Sequence, residues 1–382
     1  MTIDRTHLLG GAPRIPEICQ GPGVPGMVSV LIPSYNRAYI LGKALDSVLA
    51  QTYRPIEVIV VDDGSTDGTR ELVARYGDAV RYIHQPNAGL AAARNTGLRA
   101  ARGEFIALQD SDDQWTPWKL GAQVALMRRI PQLALVWTDM KAVDEDGRII
   151  SESHLSTMYD VYRKVQTERF LSHDCRLHEL HPDAPPELAQ AVVRHGDIFS
   201  AMFMGNLVHP PVALMRREHL ARVGGLDETF AWTCEDYEFF WRVSREGWGA
   251  LIEAPGMLYR VEAADQLTKP HLHLYIARGN LEALKRRLRE DGPRFQLPAA
   301  MMREQLADAH AWLAEEELLS PNGRRWPAIR SFARSLWAKP RQKRIALLFL
   351  ASLVLPPSAV GAVRRLKQRR ELERHLRSEA TA

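Results

Sequence analysis

The feature that most constrains this chain is a repeated alternation near its start, in which short apolar runs end in loops of Asn, Asp and Gly and amphipathic stretches follow. Val28 to Pro33 reads as a strand closed by proline, with Ser34 to Arg37 as its loop. Ala38 to Ala50 then places Ile40, Leu41, Ala44, Leu45, Val48 and Leu49 along a helical stripe. Glu57 to Val61 is a second strand, almost wholly apolar as expected where helices cover both faces of a sheet. It runs into Asp62-Asp63-Gly64-Ser65 and a helix over Thr69 to Tyr76. Strands over Val80 to His84 and Glu104 to Leu108 flank a helix over Leu90 to Ala101. This order predicts an α/β domain with a mostly parallel central sheet. The loops bearing Asn36, Asp62, Asn87 and Asp110 all leave the carboxyl ends of strands, the edge where open α/β sheets collect ligands.

Beyond Asp113 the alternation loosens. A helix over Pro117 to Ile130, a strand over Ala134 to Thr138, a hairpin turn at Asp144 to Gly147, a strand over Val212 to Met215 and a short helix over Arg217 to Val223 are expected. Trp232 to Arg245 resumes helical spacing, with Tyr237, Phe240 and Trp241 toward a core. Residues 151–198 pattern weakly and read as an insertion. The chain divides into a Gly/Pro-rich flexible leader over 1–26, a catalytic domain over 27–265, and a helical, basic C-terminal region over 266–382.

Length excludes a minimal scaffold, since 382 residues with 46% hydrophobic content bury a large core. Cys19, Cys175 and Cys234 share no metal-ligand spacing and cannot all pair, which favours a reducing compartment. No apolar run approaches the roughly 20 residues that span a bilayer, so the expected location is cytoplasmic. Charge is asymmetric: residues 324–377 hold fifteen Lys or Arg against two acids. Within them, Ile345 to Leu355 forms an apolar run between basic flanks. Such a segment suits an anionic membrane surface over 340–370, peripheral to the inner face of the cell membrane. Its rival is intramolecular docking, with Leu347, Leu348, Leu350 and Leu353 covering protein. Basic residues interleaved with aliphatics, rather than a stacking platform, argue against nucleic acid.

Three carboxylates, Asp110, Asp112 and Asp113, follow the fourth strand with no basic residue among them. In an extended loop alternate side chains share a face, so Asp110 and Asp112 would address one ligand while Asp113 faces elsewhere or caps the next helix. Mg²⁺ or Mn²⁺ suits such hard oxygen donors. Asp62 and Asp63 can accept from a base imide or ribose hydroxyls, or the loop can simply start the following helix. Pro33, Tyr35, Asn36 and Arg37 can support a base or diphosphate by stacking, amide contact and charge. Arg94 lies on a helix beginning at the same edge, within reach of phosphate or of Asp110. Glu235 and Asp236 open a helix, where amide donors favour an ionised carboxylate able to act as a general base. Asp227-Glu228 after Gly224-Gly225 fits a mobile acceptor loop or an ordinary turn. His209 and the histidines at 173, 178 and 181 lack zinc-ligand spacing, and Trp232, Trp241 and Trp248 are candidates to pack on a sugar ring.

Taken together, Val30 to Asn36, Ile59 to Asp67, Asn87 to Gly97, Asp110 to Asp113, Gly224 to Glu228 and Glu235-Asp236 resemble, in order and spacing, the inverting glycosyltransferase family 2. The resemblance covers roughly residues 27–262 and implies the nucleotide-sugar-binding fold called GT-A. It implies nucleoside contacts from Pro33, Tyr35, Asp62 and Asp63, a place for Arg94 near the donor, and a ribose or sugar contact from Asp110. Asp112 would be the principal metal ligand, and Asp236 the base with Glu235 beside it. The implied donor is a nucleotide sugar, most often a UDP-sugar, and the implied acceptor a saccharide or lipid-linked saccharide of a bacterial polysaccharide or lipid-linked glycan. Many relatives carry Tyr-Arg-x-His near the end of the domain; here Tyr259-Arg260-Val261-Glu262 has glutamate in the histidine's place. Inverting sugar transfer competes with metal-dependent nucleotidyl transfer, which usually needs a phosphate cradle absent from this sequence, and with a non-catalytic sugar-binding scaffold.

Overall fold

The computed structural model describes residues 13–165, 169–230, 234–261, 272–320 and 324–355. The chain forms two compact units, residues 1–266 and 267–382.

The first unit is built on a sheet to which the described residues contribute eleven strands. Strands β1 (Val24–Ser34), β2 (Ile56–Asp62), β3 (Arg81–His84) and β4 (Gly103–Leu108) alternate with helices α1 (Leu41–Leu49), α2 (Thr69–Ala74) and α3 (Leu90–Ala100). They stand in the order β3-β2-β1-β4, all parallel. The apolar runs explain this: Val30, Leu31, Ile32, Val58, Ile59, Val60, Ile106 and Ala107 are buried, as two covered faces require.

The rest of the sheet corrects the expectation of a mostly parallel arrangement. Strand β5 (Gln114–Trp115) and helix α4 (Lys119–Arg129) lead to β6 (Leu133–Val143) and β7 (Ile149–Ser151). The segment expected as an unpatterned insertion holds α5 (Leu155–Met158), α6 (Val161–Lys164), β8 (His173–Arg176), α7 (Leu177–Leu180) and β9 (Val192–Gly196). Then come β10 (Ala213–Arg216), α8 (Arg217–Val223), α9 (Glu235–Val243) and β11 (Trp248–Arg260). Beyond β4 the order continues β10-β6-β11-β9-β8. Strand β10 lies antiparallel between β4 and β6, β11 runs parallel to β6, and β9 and β8 continue antiparallel. Chain reversal without an intervening crossover helix permits antiparallel neighbours, so the alternation that predicted parallel pairing stops applying there.

The leader is not loose where it is described. Ile18 and Cys19 are buried, Arg14 N donates to Asp227 Oδ1 at 2.9 Å, and Gly225 N donates to Pro16 O at 2.9 Å. Gly225 is required at this crossing, because a Cβ there would sit 2.4 Å from Asn95 Oδ1 and 3.0 Å from Pro16 Cγ. Asp227 is buried and also accepts from Thr229 N and Oγ1 at 2.9 and 2.8 Å, which makes this segment a braced turn rather than a mobile loop.

The second unit contains α10 (His273–Asp291), α11 (Ala299–Leu319), α12 (Arg325–Ala338) and α13 (Lys343–Val354). Ala311, Ala314, Leu318, Ala328, Phe332 and Ile345 form its core, with Leu348 and Phe349 packed against them. Helical spacing therefore divides the apolar run into two faces. Ile345, Leu348, Phe349 and Ser352 turn inward, while Leu347, Leu350, Leu353 and Val354 stay exposed. No helix among the described residues is long and apolar enough to cross a membrane.

Candidate active site

The loops after β1, β2 and β4 gather at one sheet edge. The β2 loop is braced from both sides. Asn36 adopts the left-handed region at φ 53°, its N–H donates to Ser65 Oγ at 2.8 Å, and its Oδ1 accepts from Thr66 N at 2.8 Å. Asp62 is buried, accepts from Ser65 N at 2.8 Å and takes a hydrogen bond from the Tyr82 hydroxyl. It lines a cavity of about 190 Å³ with Ser65, Thr66, Asp67, Arg70, Glu71, Tyr82 and His84. Pro33 is buried at the end of β1, and Tyr35 is exposed beside it.

Asp63 departs from the expected nucleoside contact. Its Oδ1 accepts from Gln85 Nε2 at 2.7 Å and Ala88 N at 2.8 Å, and its Oδ2 from Gly89 N at 2.7 Å. Its carboxylate is occupied in holding the loop before α3. Gly64, at φ 83°, permits the approach, since a Cβ there would stand 2.8 Å from Asn87 N.

Arg94 on α3 joins the two carboxylate groups that lie far apart in sequence. Only 2% exposed, it donates from Nη1 to Glu235 Oε1 at 3.0 Å and from Nη2 to Asp110 Oδ1 at 2.9 Å. Burial works against its charge, but Asp110, Glu235 and Asp236 together hold it more firmly protonated than usual. Glu235 is pushed up to about 7, first by burial and then by Asp236, with Arg94 opposing. Asp236 is also raised, chiefly by burial, with the Arg94 guanidinium and the N–H groups at the start of α9 opposing. Asp236 is the less buried of the two, and its nearest side-chain donor is Asn206 Nδ2 at 3.4 Å. Cys234, immediately before them, is held in the left-handed region at φ 71°, a strained conformation at the entrance to the helix.

The acidic loop after β4 is not extended. Asp113 N donates to Asp110 O at 3.4 Å, so the chain turns and brings Asp110 and Asp113 together, rather than Asp110 and Asp112. One ligand atom from each of Asp110, Asp113 and His209 lies within 4.8 Å of the others. Asp112 stands outside this group and pairs with Arg260 Nη2 at 3.1 Å and Arg37 Nη1 at 3.8 Å. Burial, followed by Asp112 and Asp110, lifts the Asp113 carboxyl well above its usual range. Burial, and then Arg94, lowers His209 to about 3. Its imidazole is therefore neutral at ordinary pH, as a metal ligand must be. His209 Nε2 is buried without a hydrogen-bond partner, while Nδ1 meets Tyr159 Oη at 3.0 Å. Two carboxylates and a neutral imidazole with an unused nitrogen fit a divalent cation.

His209 and Tyr159 were not legible as site residues, because neither stands in a motif. His209 lies 99 residues beyond Asp110 in a Pro-rich loop, and Tyr159 follows α5 in the weakly patterned segment. Trp241 is core, as expected, and Trp248 stacks on His173 at 5.1 Å. Glu262 and Trp232 lie outside the described residues.

Known proteins resemble part of this chain. The model of glycosyl transferase family 2 matches residues 29–181. An uncharacterized glycosyltransferase of Rickettsia bellii (strain RML369-C) is 36% identical over 127 residues, covering 32% of this chain and 18% of the relative. Chondroitin synthase of Escherichia coli is 35% identical over 154 residues, covering 40% of this chain and 22% of that enzyme. The chain thus spans only about a fifth of the length of either relative. Among solved structures, S. aureus TarS 1-349 in complex with UDP-GlcNAc aligns with a TM-score of 0.55 at 17% identity, covering 89% of this chain and 92% of that one. This likeness speaks to fold alone. The matched segment and the sheet edge that carries its motifs lead to one statement: residues 29–181 are similar to glycosyl transferase family 2, on a GT-A-like fold.

Proposed function

We propose that this chain is an inverting, hexosyltransferase-like glycosyltransferase that moves a sugar from a nucleoside-diphosphate sugar to an acceptor hydroxyl. The observation that carries the reading is the position of Asp236. It opens α9 beside the Arg94-linked pair Asp110 and Glu235, at the edge where the β1, β2 and β4 loops converge. Asp236 takes the proton from the acceptor hydroxyl as that oxygen attacks the anomeric carbon opposite the leaving group. Its raised pKa makes it a stronger base than an exposed aspartate. Glu235 is held by Arg94 and sets the guanidinium rather than moving a proton.

Asp62 and the surrounding cavity support nucleoside recognition, and Pro33 and Tyr35 flank Ser34, the register partner of Asp62. Asp110, Asp113 and His209 would hold Mg²⁺ or Mn²⁺. When bound, the cation would offset the charge developing on the departing diphosphate oxygen. Arg37 and Arg260, around Asp112, offer further positive charge at the same edge. A UDP-sugar is the favoured donor, as the family resemblance most often implies. The acceptor is a saccharide or lipid-linked saccharide, in keeping with bacterial polysaccharide or lipid-linked glycan synthesis. Turnover of UDP-sugars with Mn²⁺ should release nucleoside diphosphate. Release of inorganic diphosphate would instead identify a nucleotidyltransferase, and donor binding with no turnover on any acceptor a sugar-binding scaffold.

A cytoplasmic protein, peripheral to the inner face of the membrane, completes the reading. Trp326, Trp337, Leu347, Leu350 and Val354 are exposed in the second unit, as are the basic side chains Arg334, Arg341 and Lys343. Apolar anchors among cations suit an anionic lipid surface. The full chain should sediment with phosphatidylserine vesicles, and Trp337→Ser/Leu347→Ser should release it. Equal sedimentation of the two proteins would exclude this face.

A further inference from the structure

We propose that Tyr159, in the segment joining β7 to β8, is a positioning residue that seats His209 as a cation ligand beside Asp110 and Asp113. The proposal deepens the transferase reading and rests on it for the presence of a cation. Tyr159 follows α5 directly and reaches His209 across 50 residues of sequence, its Oη 3.0 Å from Nδ1. The two ring centroids lie 6.1 Å apart. Tyr259 closes on the imidazole edge-to-face at 5.2 Å and itself stacks on His154 at 5.9 Å. The imidazole is thus confined by two tyrosines, and Tyr159 Oη meets its Nδ1.

The chemistry of the ring makes that hydrogen bond decisive. A neutral imidazole has one protonated nitrogen and one lone pair, so the partner of the first determines where the second points. When Tyr159 Oη accepts the Nδ1 proton, Nε2 carries the lone pair, and Nε2 is the buried nitrogen with no partner of its own. The opposite tautomer would place a proton on Nε2 and leave no lone pair there for a cation. Oxygen partners on the second ring nitrogen are the usual means by which ligating histidines are oriented. Here the partner comes from the inserted segment, which would link that segment's folding to the completeness of the site.

Removing only the hydroxyl isolates this role. Mn²⁺ alone is titrated into the full chain by electron paramagnetic resonance, comparing wild type, Tyr159→Phe, His209→Ala and the double variant. Tyr159→Phe is expected to weaken Mn²⁺ binding by about 10- to 100-fold, and the double variant to bind no more weakly than His209→Ala. A weakened His209→Ala with an unchanged Tyr159→Phe would overturn the positioning role while keeping His209 as a ligand. Losses that add in the double variant would also overturn it, since the two residues would then act independently. An unchanged His209→Ala, or no Mn²⁺ binding by wild type, would remove the cation reading at these three residues and the proposal with it. Should Tyr159→Phe not fold, ¹⁵N NMR of the unsubstituted chain with Mg²⁺ supplies the test. A proton on His209 Nδ1 is the expected result, and a proton on Nε2 would overturn the assignment.

Discussion

Asp236→Asn is expected to lower kcat by about 10³-fold, the scale of a lost general base, while donor affinity stays within about twofold of wild type. Asparagine preserves size and can still meet Asn206, so the helix entrance should keep its shape. What disappears is the ability to accept a proton from the acceptor hydroxyl. The buried neighbour Glu235 cannot substitute, because its Oε1 is held by Arg94 and its exposure is only 5%. Glu235→Gln would therefore act differently, through the Arg94 contact and not through the proton. Initial rates at saturating acceptor, together with calorimetric titration of a UDP-sugar, separate the two effects. Undiminished turnover in Asp236→Asn would move the base elsewhere; equal loss of donor binding and rate would make Asp236 a binding group.

Arg94→Met should have the largest effect on stability, about 3–5 kcal/mol, as expected when one partner of a buried ion pair is removed. The guanidinium is 2% exposed and serves Asp110 and Glu235 at once, so its loss leaves Glu235 buried without its cation. Methionine conserves much of the packing and separates the charge from the volume. Arg94→Lys should recover only part of the loss, since a single ammonium cannot reproduce the two-pronged geometry. The double variant Arg94→Met/Glu235→Gln should be more stable than Arg94→Met alone, because the stranded charge is gone. Denaturant unfolding of the four proteins provides the measurement. A loss below about 1 kcal/mol in Arg94→Met would mean that the pair sits in a far more solvated environment than its burial implies.

Much of the first half of the fold was legible in the sequence because it depends on local pattern. Apolar runs such as Ile59 to Val61, punctuated by Asp62 and Gly64, specify both a buried strand and where it must stop. The carboxylates at strand ends follow from the same alternation, which is why a ligand-collecting sheet edge could be anticipated. Asp63 shows the limit of that logic. Residue type and position suggested a ligand contact, but three donors from the neighbouring loop occupy its oxygens. Asp112 shows it again: periodicity paired it with Asp110, whereas the turn at Asp110 to Asp113 inverts the pairing.

The sequence by itself determined the α/β class, the family motifs and the placement of acidic groups on one edge, since these rest on short-range periodicity and turn chemistry. Only the tertiary structure decided which carboxylates meet, that Arg94 reaches Glu235 across 141 residues and ties it to Asp110, and that His209 and Tyr159 join the site. Those outcomes depend on sheet order and on the return of β10 and α9 to the edge built by β1, β2 and β4. Contacts made across such separations carry no local signature, because they are selected by the packing of whole elements and not by the spacing of neighbours.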